Sequence, residues 1–290
     1  TVGSSNTAIG RNALLCNTAS NNTAVGFCAL RSNTTGTNNT SVGLCSLTLN
    51  TTGCDNTALG IASLRGNTTG ICNTALGTYS MQGNTAGNRN TAVGLFSLFC
   101  SLTSSVNVAV GLCSQFRSTA GVDNASFGAY SLRDNISGCR NTAIGNAALL
   151  CNTASNNTAV GYSALRNNTT GTQNTSLGYS TLRSNTTGTG NVAVGYWALR
   201  GNTVGTQNVA VGTQALFYTT TGIYNTALGG FSLRENITGG CNVAIGLNAL
   251  RNNTASSNTA VGRNSLQTNT TGCYNTALGA STLLVNTTGR

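Results

Sequence analysis

Apolar residues along the chain recur in blocks at a fixed distance. Each block reads Asn, then Thr or Val, then Ala or Ser, then an aliphatic residue, then Gly, and four positions later Leu. With the first Asn of a block as offset 0, seventeen blocks run from Asn6, Asn22 and Asn39 to Asn275. Thirteen of the sixteen spacings are 17 residues and three are 16, and the short blocks carry Ser20, Ser155 and Ser256 where most others place Gly. A period of this kind is read before any count of domains, because repeating units bury their apolar groups by stacking on one another.

Each offset is then one place in successive coils. Offset 3 is always apolar, with Phe127 the largest, and offset 8 is Leu in 15 blocks, the exceptions being Met81 and Gln115. Thr at offset 1 gives way to Val108, Val192, Val209 and Val243, and Thr at offset 12 to Leu102, Ile136 and Ile237. Exchange of Thr for an aliphatic residue predicts that offsets 1 and 12 face inward with offsets 3 and 8. Two-residue alternation predicts a strand over offsets 1–3, ended by the Gly at offset 4 of every block, where a side chain would obstruct a backbone bend. A second short strand carries offset 8. A third segment covers offsets 11–13, closed by Gly at offset 14 in 13 blocks.

The predicted fold is all-β: a parallel β-solenoid (a β-roll or β-helix) of 17 coils of 16–17 residues, one continuous repeat domain over 1–290 with no polar cap at either end. Parallel stacking gives a rod of roughly 80 Å at about 4.8 Å per coil. The chain is then a segment of a longer protein or a subunit that stacks end to end into a filament. Asn at offset 0, and at offset 11 in 14 blocks, either forms hydrogen-bonded ladders or favours the turns. Offset 2, always Ala or Ser, alternates with the inward positions and so faces out. Its small size means either that two faces of one flattened coil crowd there or that another chain packs on it.

The motif N-[TV]-[AS]-[VIL]-G followed by a small residue and Leu resembles the head repeats of trimeric autotransporter adhesins (YadA-like) and the Asn-Thr-Ala-Val-Gly repeats of tail-fibre-like proteins. The resemblance covers nearly the whole chain. It implies a left-handed parallel β-roll, commonly a homotrimer, in a surface fibre used for adhesion or as a stalk. The family's heads are Cys-poor with a shorter repeat, whereas this chain carries 11 Cys on a 17-residue one.

Composition narrows the chemistry. Charged residues are 6%, Pro is absent, and the net charge of +10 comes from 14 Arg against Asp55, Asp123, Asp134 and Glu235, with no His and no Lys. That inventory offers no catalytic triad, no carboxylate pair and no usual metal cluster, so no enzyme, metal or cofactor is expected. No apolar run reaches the ~20 residues of a membrane helix. The cysteines suggest an oxidising setting, extracellular or at a cell or virion surface. Cys28 and Cys45 share offset 6 in adjacent coils, and Cys54 and Cys72 sit in adjacent turns; both pairs are candidate disulfides, unless the thiols simply fill small core sites. Sequons at Asn33, Asn50, Asn67, Asn135, Asn168, Asn185, Asn236, Asn269 and Asn286 all fall at offset 11. They predict a row of glycans, or, if that Asn is a buried ladder, none.

Arginine recurs at offset 9 in eight blocks, from Arg31 to Arg251. The stripe is a solvated edge that discourages lateral sheet pairing, or a polyanion-binding row. Its best place as a ligand patch is Tyr162, Arg166, Tyr179, Arg183, Tyr196, Trp197 and Arg200, where aromatic faces suit sugars. Nucleic acid lacks a recognisable binding motif here. Ice binding by a Thr array is disfavoured by the inward placement expected of offsets 1 and 12. The sequence therefore predicts a structural subunit of an extracellular fibre that self-associates, with a glycan- or polyanion-binding adhesin as the alternative.

Overall fold

Asn-Thr-Ala-Val-Gly places a three-residue strand in every coil of the computed structural model, which describes residues 3–289. The chain divides into two compact units, Thr1–Asn146 and Ala147–Arg290. In the first, nine strands run from β1 (Thr7–Ile9) to β9 (Thr142–Ile144); in the second, eight run from β10 (Thr158–Val160) to β17 (Thr276–Leu278). Within each unit, successive strands pair in parallel and in register, offset on offset, as Thr40 opposite Thr57 and Val42 opposite Leu59. The chain is thus an all-β solenoid repeat protein. Thr1, Val2 and Arg290, where the repeat opens and closes, lie outside the described residues.

The pleat is turned the other way from the prediction. Offset 2 is the inward residue: from Ala24 to Ala260 this Ala or Ser is fully buried in every coil. Offsets 1 and 3 point out, and Leu59 is 50% and Leu177 47% exposed. Offset 12 also points out, with Leu102, Ile136 and Ile237 about half-exposed. Period 2 fixes which residues share a face, and a one-residue error in assigning the faces inverts all of them. What Ala meets is offset 7 of the same region of the coil. Ser41 Oγ donates to Ser46 O at 2.9 Å and Ser176 Oγ to Thr181 O at 3.0 Å. Their hydroxyls also meet those of Ser46 and Thr181, and Ser126 Oγ lies 2.6 Å from Ser114 Oγ at offset 7 of the preceding coil, as the cost of burying an unpaired hydroxyl requires. The crowding lies between two faces of one flattened coil.

Leu at offset 8 is the core, fully buried from Leu30 to Leu250 with Met81 and Gln115 equally buried in its row. It is carried by a turn, and no second strand forms. Offsets 6 and 8 both take left-handed backbone, φ 54° at Cys28 and 50° at Leu30, and offset 16 does the same. Such a conformation costs about 1–2 kcal/mol for an L-residue, so neighbouring coils must hold it. They do so through the backbone: Leu30 N donates to Ser46 O of the next coil and Cys28 N to Arg11 O of the previous one. Gly at offset 4 is required twice over. Gly43 has φ +138°, and a Cβ there would come within 2.5 Å of Gly60 O.

Both asparagine rows are buried ladders. Asn39 Nδ2 donates to Asn22 Oδ1 at 3.2 Å and closes its own coil on Gly53 O at 2.8 Å. From offset 11, Asn50 Nδ2 donates to Asn33 Oδ1 at 2.7 Å and reaches the same Gly53 O at 2.9 Å. A Cβ on Gly53 would meet Asn50 Oδ1 at 2.4 Å, which accounts for Gly at offset 14. In the short coils Ala at offset 13 supplies that carbonyl, as Ala255 O does for Asn242 and Asn253, and the Ser256 hydroxyl accepts from Gly240 N. A deletion of one residue is thereby confined to one turn. The offset-11 ladder is interrupted where Ser101, Ser118 and Thr219 replace Asn, and Asn202 Oδ1 is left buried without a partner.

Candidate functional site

The expected ligand patch divides into two columns on the second unit. Tyr162, Tyr179 and Tyr196, at offset 5, stack ring on ring at 5.2 Å and 5.4 Å with interplanar angles of 13° and 16°. The spacing follows the coil-to-coil distance of a parallel sheet, widened slightly by ring tilt. Each ring thus covers its neighbour's face, and what the column offers solvent is edges and hydroxyls.

The arginine column, four positions further along each coil, meets the tyrosines at one place only. Trp197, at offset 6, lies 4.3 Å from the Tyr196 ring and 5.3 Å beneath the Arg200 guanidinium. Arg200 also caps the Phe217 ring at 5.7 Å, and Arg234 stands 5.5 Å from Phe217 and 5.0 Å from Tyr218. Arg251 covers Phe231 at 5.8 Å. Here the arginines stand over aromatic faces and are neither a freely solvated edge nor a row of available cations. Arg234 is held further by Gln214 Oε1 at 2.8 Å and by an ion pair with Glu235. Arg166 and Arg183 are partly buried, and neither stands over a ring among the described residues. The sequence pattern did not single out Phe217 or Tyr218; their signal was an aromatic pair standing where the repeat usually puts Arg and a polar residue.

In the first unit the rings pack on one another, and among the described residues the guanidinium–ring pairs lie in the second unit. Tyr79 and Phe96 stack at 5.2 Å at offset 6, Phe99 and Phe116 at 5.1 Å at offset 9, and Phe96 meets Phe99 edge-on at 5.4 Å. Beside them lies a groove of about 510 Å³. Among the described residues of this unit, charge pairing is confined to Asp134, which takes Arg133 at 2.8 Å and Arg117 at 3.7 Å.

The offset-11 sequons lose their role as glycan acceptors. All but Asn286 of the nine are fully buried, and most give both Nδ2 hydrogens to the ladder and to the closing Gly carbonyl. A glycan on that nitrogen and this coil exclude one another. Asn135 and Asn236 keep an unpartnered Oδ1, but they too are fully buried and donate to Gly138 and Gly239.

The candidate disulfides are not formed. Cys28 and Cys45, in successive coils at offset 6, and Cys54 and Cys72 are thiols. Cys72 N donates to Cys54 O at 3.1 Å, but the Cys54 sulfur is turned toward Thr37 N and Thr52 O. Burial pushes the Cys100 thiol up from its ordinary range, partly offset by Arg117, and burial raises Cys113 likewise against Arg133. Inward burial no longer argues against a Thr array, because offset 1 faces out. That column is instead broken by Val108, Ala125, Val192, Val209 and Val243. Among the described residues there is no helix, hence none long and apolar enough to cross a membrane. No protein-family model matches the chain, and no curated protein matches it either.

Proposed function

We propose that this chain is a structural segment of an extracellular fibre, without enzymatic activity, whose strand face is covered by further copies of itself. The observation that carries this reading is the outward face of offsets 1 and 3. In every coil it presents Thr or Val, or Ala once, beside Val, Ile, Leu or Phe, and the strands contain no charged residue. A row of partly to largely exposed apolar side chains continued through every coil of a unit exceeds the scattered apolar exposure normal on a monomer. A surface repeating every ~4.8 Å is matched over its length by another surface with the same repeat, and a second copy supplies one. The resemblance to surface-fibre repeats points the same way.

Sedimentation and electron microscopy test it. Purified chain should form dimers, trimers or filaments, and the pair Val194→Arg with Val211→Arg, placing two charges on the outward face, should return it to monomer with its circular dichroism unchanged. Wild-type chain that stays monomeric at high micromolar concentration would sink the proposal.

A second reading, capture of anionic glycans, rests on Arg166 and Arg183, which no ring caps among the described residues, on the same coils as the exposed Tyr162 and Tyr179. Binding to sulfated glycans that is lost in the double variant Arg166→Gln, Arg183→Gln would support it. Indifference to that change would remove it.

A further inference from the structure

The groove on the first unit arises from two glycines. At offset 10 most coils carry a side chain, but the fourth and fifth carry Gly66 and Gly83, between Leu49 of the coil before and Cys100 of the coil after. The floor is backbone: a Cβ on Gly66 would come within 2.7 Å of Gln82 O, and one on Gly83 within 2.9 Å of Phe99 O. One wall is Phe99, held upright by stacking on Phe116 at 5.1 Å and by the edge of Phe96 at 5.4 Å. The other is Leu102, 48% exposed at an offset where the repeat normally places Thr. Leu49 and Cys100 bound the trough three coil spacings apart, roughly 14 Å, and its volume is about 510 Å³. That is the size of a small-molecule site.

Charge supplies the second half of the argument. Arg65 stands at the rim as the one ionised group of the lining, no acid lines the groove, and Arg65 makes no ion pair among the described residues. An apolar trough with a single free guanidinium at its edge complements a molecule with an apolar body and one anionic head. We propose that this groove binds a small amphipathic carboxylate of medium acyl length, its chain laid over Gly66 and Gly83 between Phe99 and Leu102 and its head at Arg65.

The site is independent of the strand face, so it stands or falls apart from self-association. The test uses the whole chain and decanoate, with acetate as a charge-only control and decanol as an apolar-only control, read by calorimetry and by peptide-resolved alkylation of the thiols. Decanoate should bind and slow alkylation of Cys100 while leaving Cys273 unaffected, and acetate should do neither. An exposed cation contributes up to about 1 kcal/mol, so decanol should bind up to roughly fivefold more weakly than decanoate. Arg65→Gln should bring decanoate down to the level of decanol, Arg65→Lys should restore most of the difference, and Leu102→Asp should abolish binding with circular dichroism unchanged. Decanoate that protects Cys100 no better than acetate overturns the site. Decanoate and decanol bound equally, or indifference to Leu102→Asp, overturns the assignment of head or chain.

Discussion

Phe99 and Phe217 occupy the same place in the repeat, offset 9, in different units, and their surroundings have diverged. Phe217 is almost fully buried, capped by Arg200 and Arg234 and flanked by Trp197 and Tyr218. Phe99 has only other rings beside it and a groove at its edge. Beneath both lies the same scaffold of Leu at offset 8, small residues at offsets 2 and 7, and two Asn ladders. The difference teaches that the outward offsets are free to vary because the coil does not depend on them. Around Phe217 they are covered by cation–aromatic contacts, and around Phe99 they leave apolar surface open.

The strongest way to break this comparison is through the core that the two units share. Leu98→Ala and Leu216→Ala, each removing a fully buried Leu, should both cost about 2–5 kcal/mol in urea unfolding. If the two losses differ by more than half, the scaffold is not common to both units and its surface is part of what holds it. A smaller effect comes from exchanging the caps. Gln82→Arg should lay a guanidinium over Phe99, raise stability by about 0.5–1 kcal/mol and weaken decanoate binding. Arg200→Gln should lower stability by a similar amount and expose the Trp197 ring, read as a red shift of its fluorescence. The smallest effect concerns the thiols. Because burial raises Cys100 and Cys113, more of each is protonated at any given pH, and alkylation should begin at higher pH than for a cysteine peptide. Arg117→Gln removes a cation that partly opposes this, so Cys100 should become slower still. Faster alkylation in that variant would contradict the assignment.

Much of the fold was legible because a repeat averages over accidents. Period, coil count, parallel stacking, the glycine bend at offset 4 and the Leu row all followed from recurrence at fixed offsets. The direction of the pleat did not. Thr, Val and Ile are residues that any strand favours, so their exchange at offset 1 marked a strand and was misread as a buried face. The better signal was Ala at offset 2, since only an inward position facing the close opposite side of a flattened coil needs a residue that small in every coil. The left-handed backbone at offset 8 was illegible for a different reason: Leu does not favour it, and the conformation is imposed by the coils on either side. At the candidate site, the columns of Tyr and Arg could be read off as equal spacings. That the rings cover each other's faces, and that Arg200 lies on Trp197, depends on side-chain geometry that spacing does not encode.

The ladders also give each stack a direction. At offset 11, and between most coils at offset 0, the amide hydrogen comes from the later coil and the oxygen from the earlier one, as Asn50 gives to Asn33 and Asn67 to Asn50. Aligned amides add like cells in series. The backbone bonds between coils run both ways, as Leu30 N gives to Ser46 O and Cys28 N to Arg11 O, so a cut across a unit leaves one face with unsatisfied hydrogens and the other with unsatisfied oxygens only along the ladders, an arrow written into the protein along its axis. Two copies can prolong the ladder only nose to tail, and two like faces brought together would set donor against donor or acceptor against acceptor.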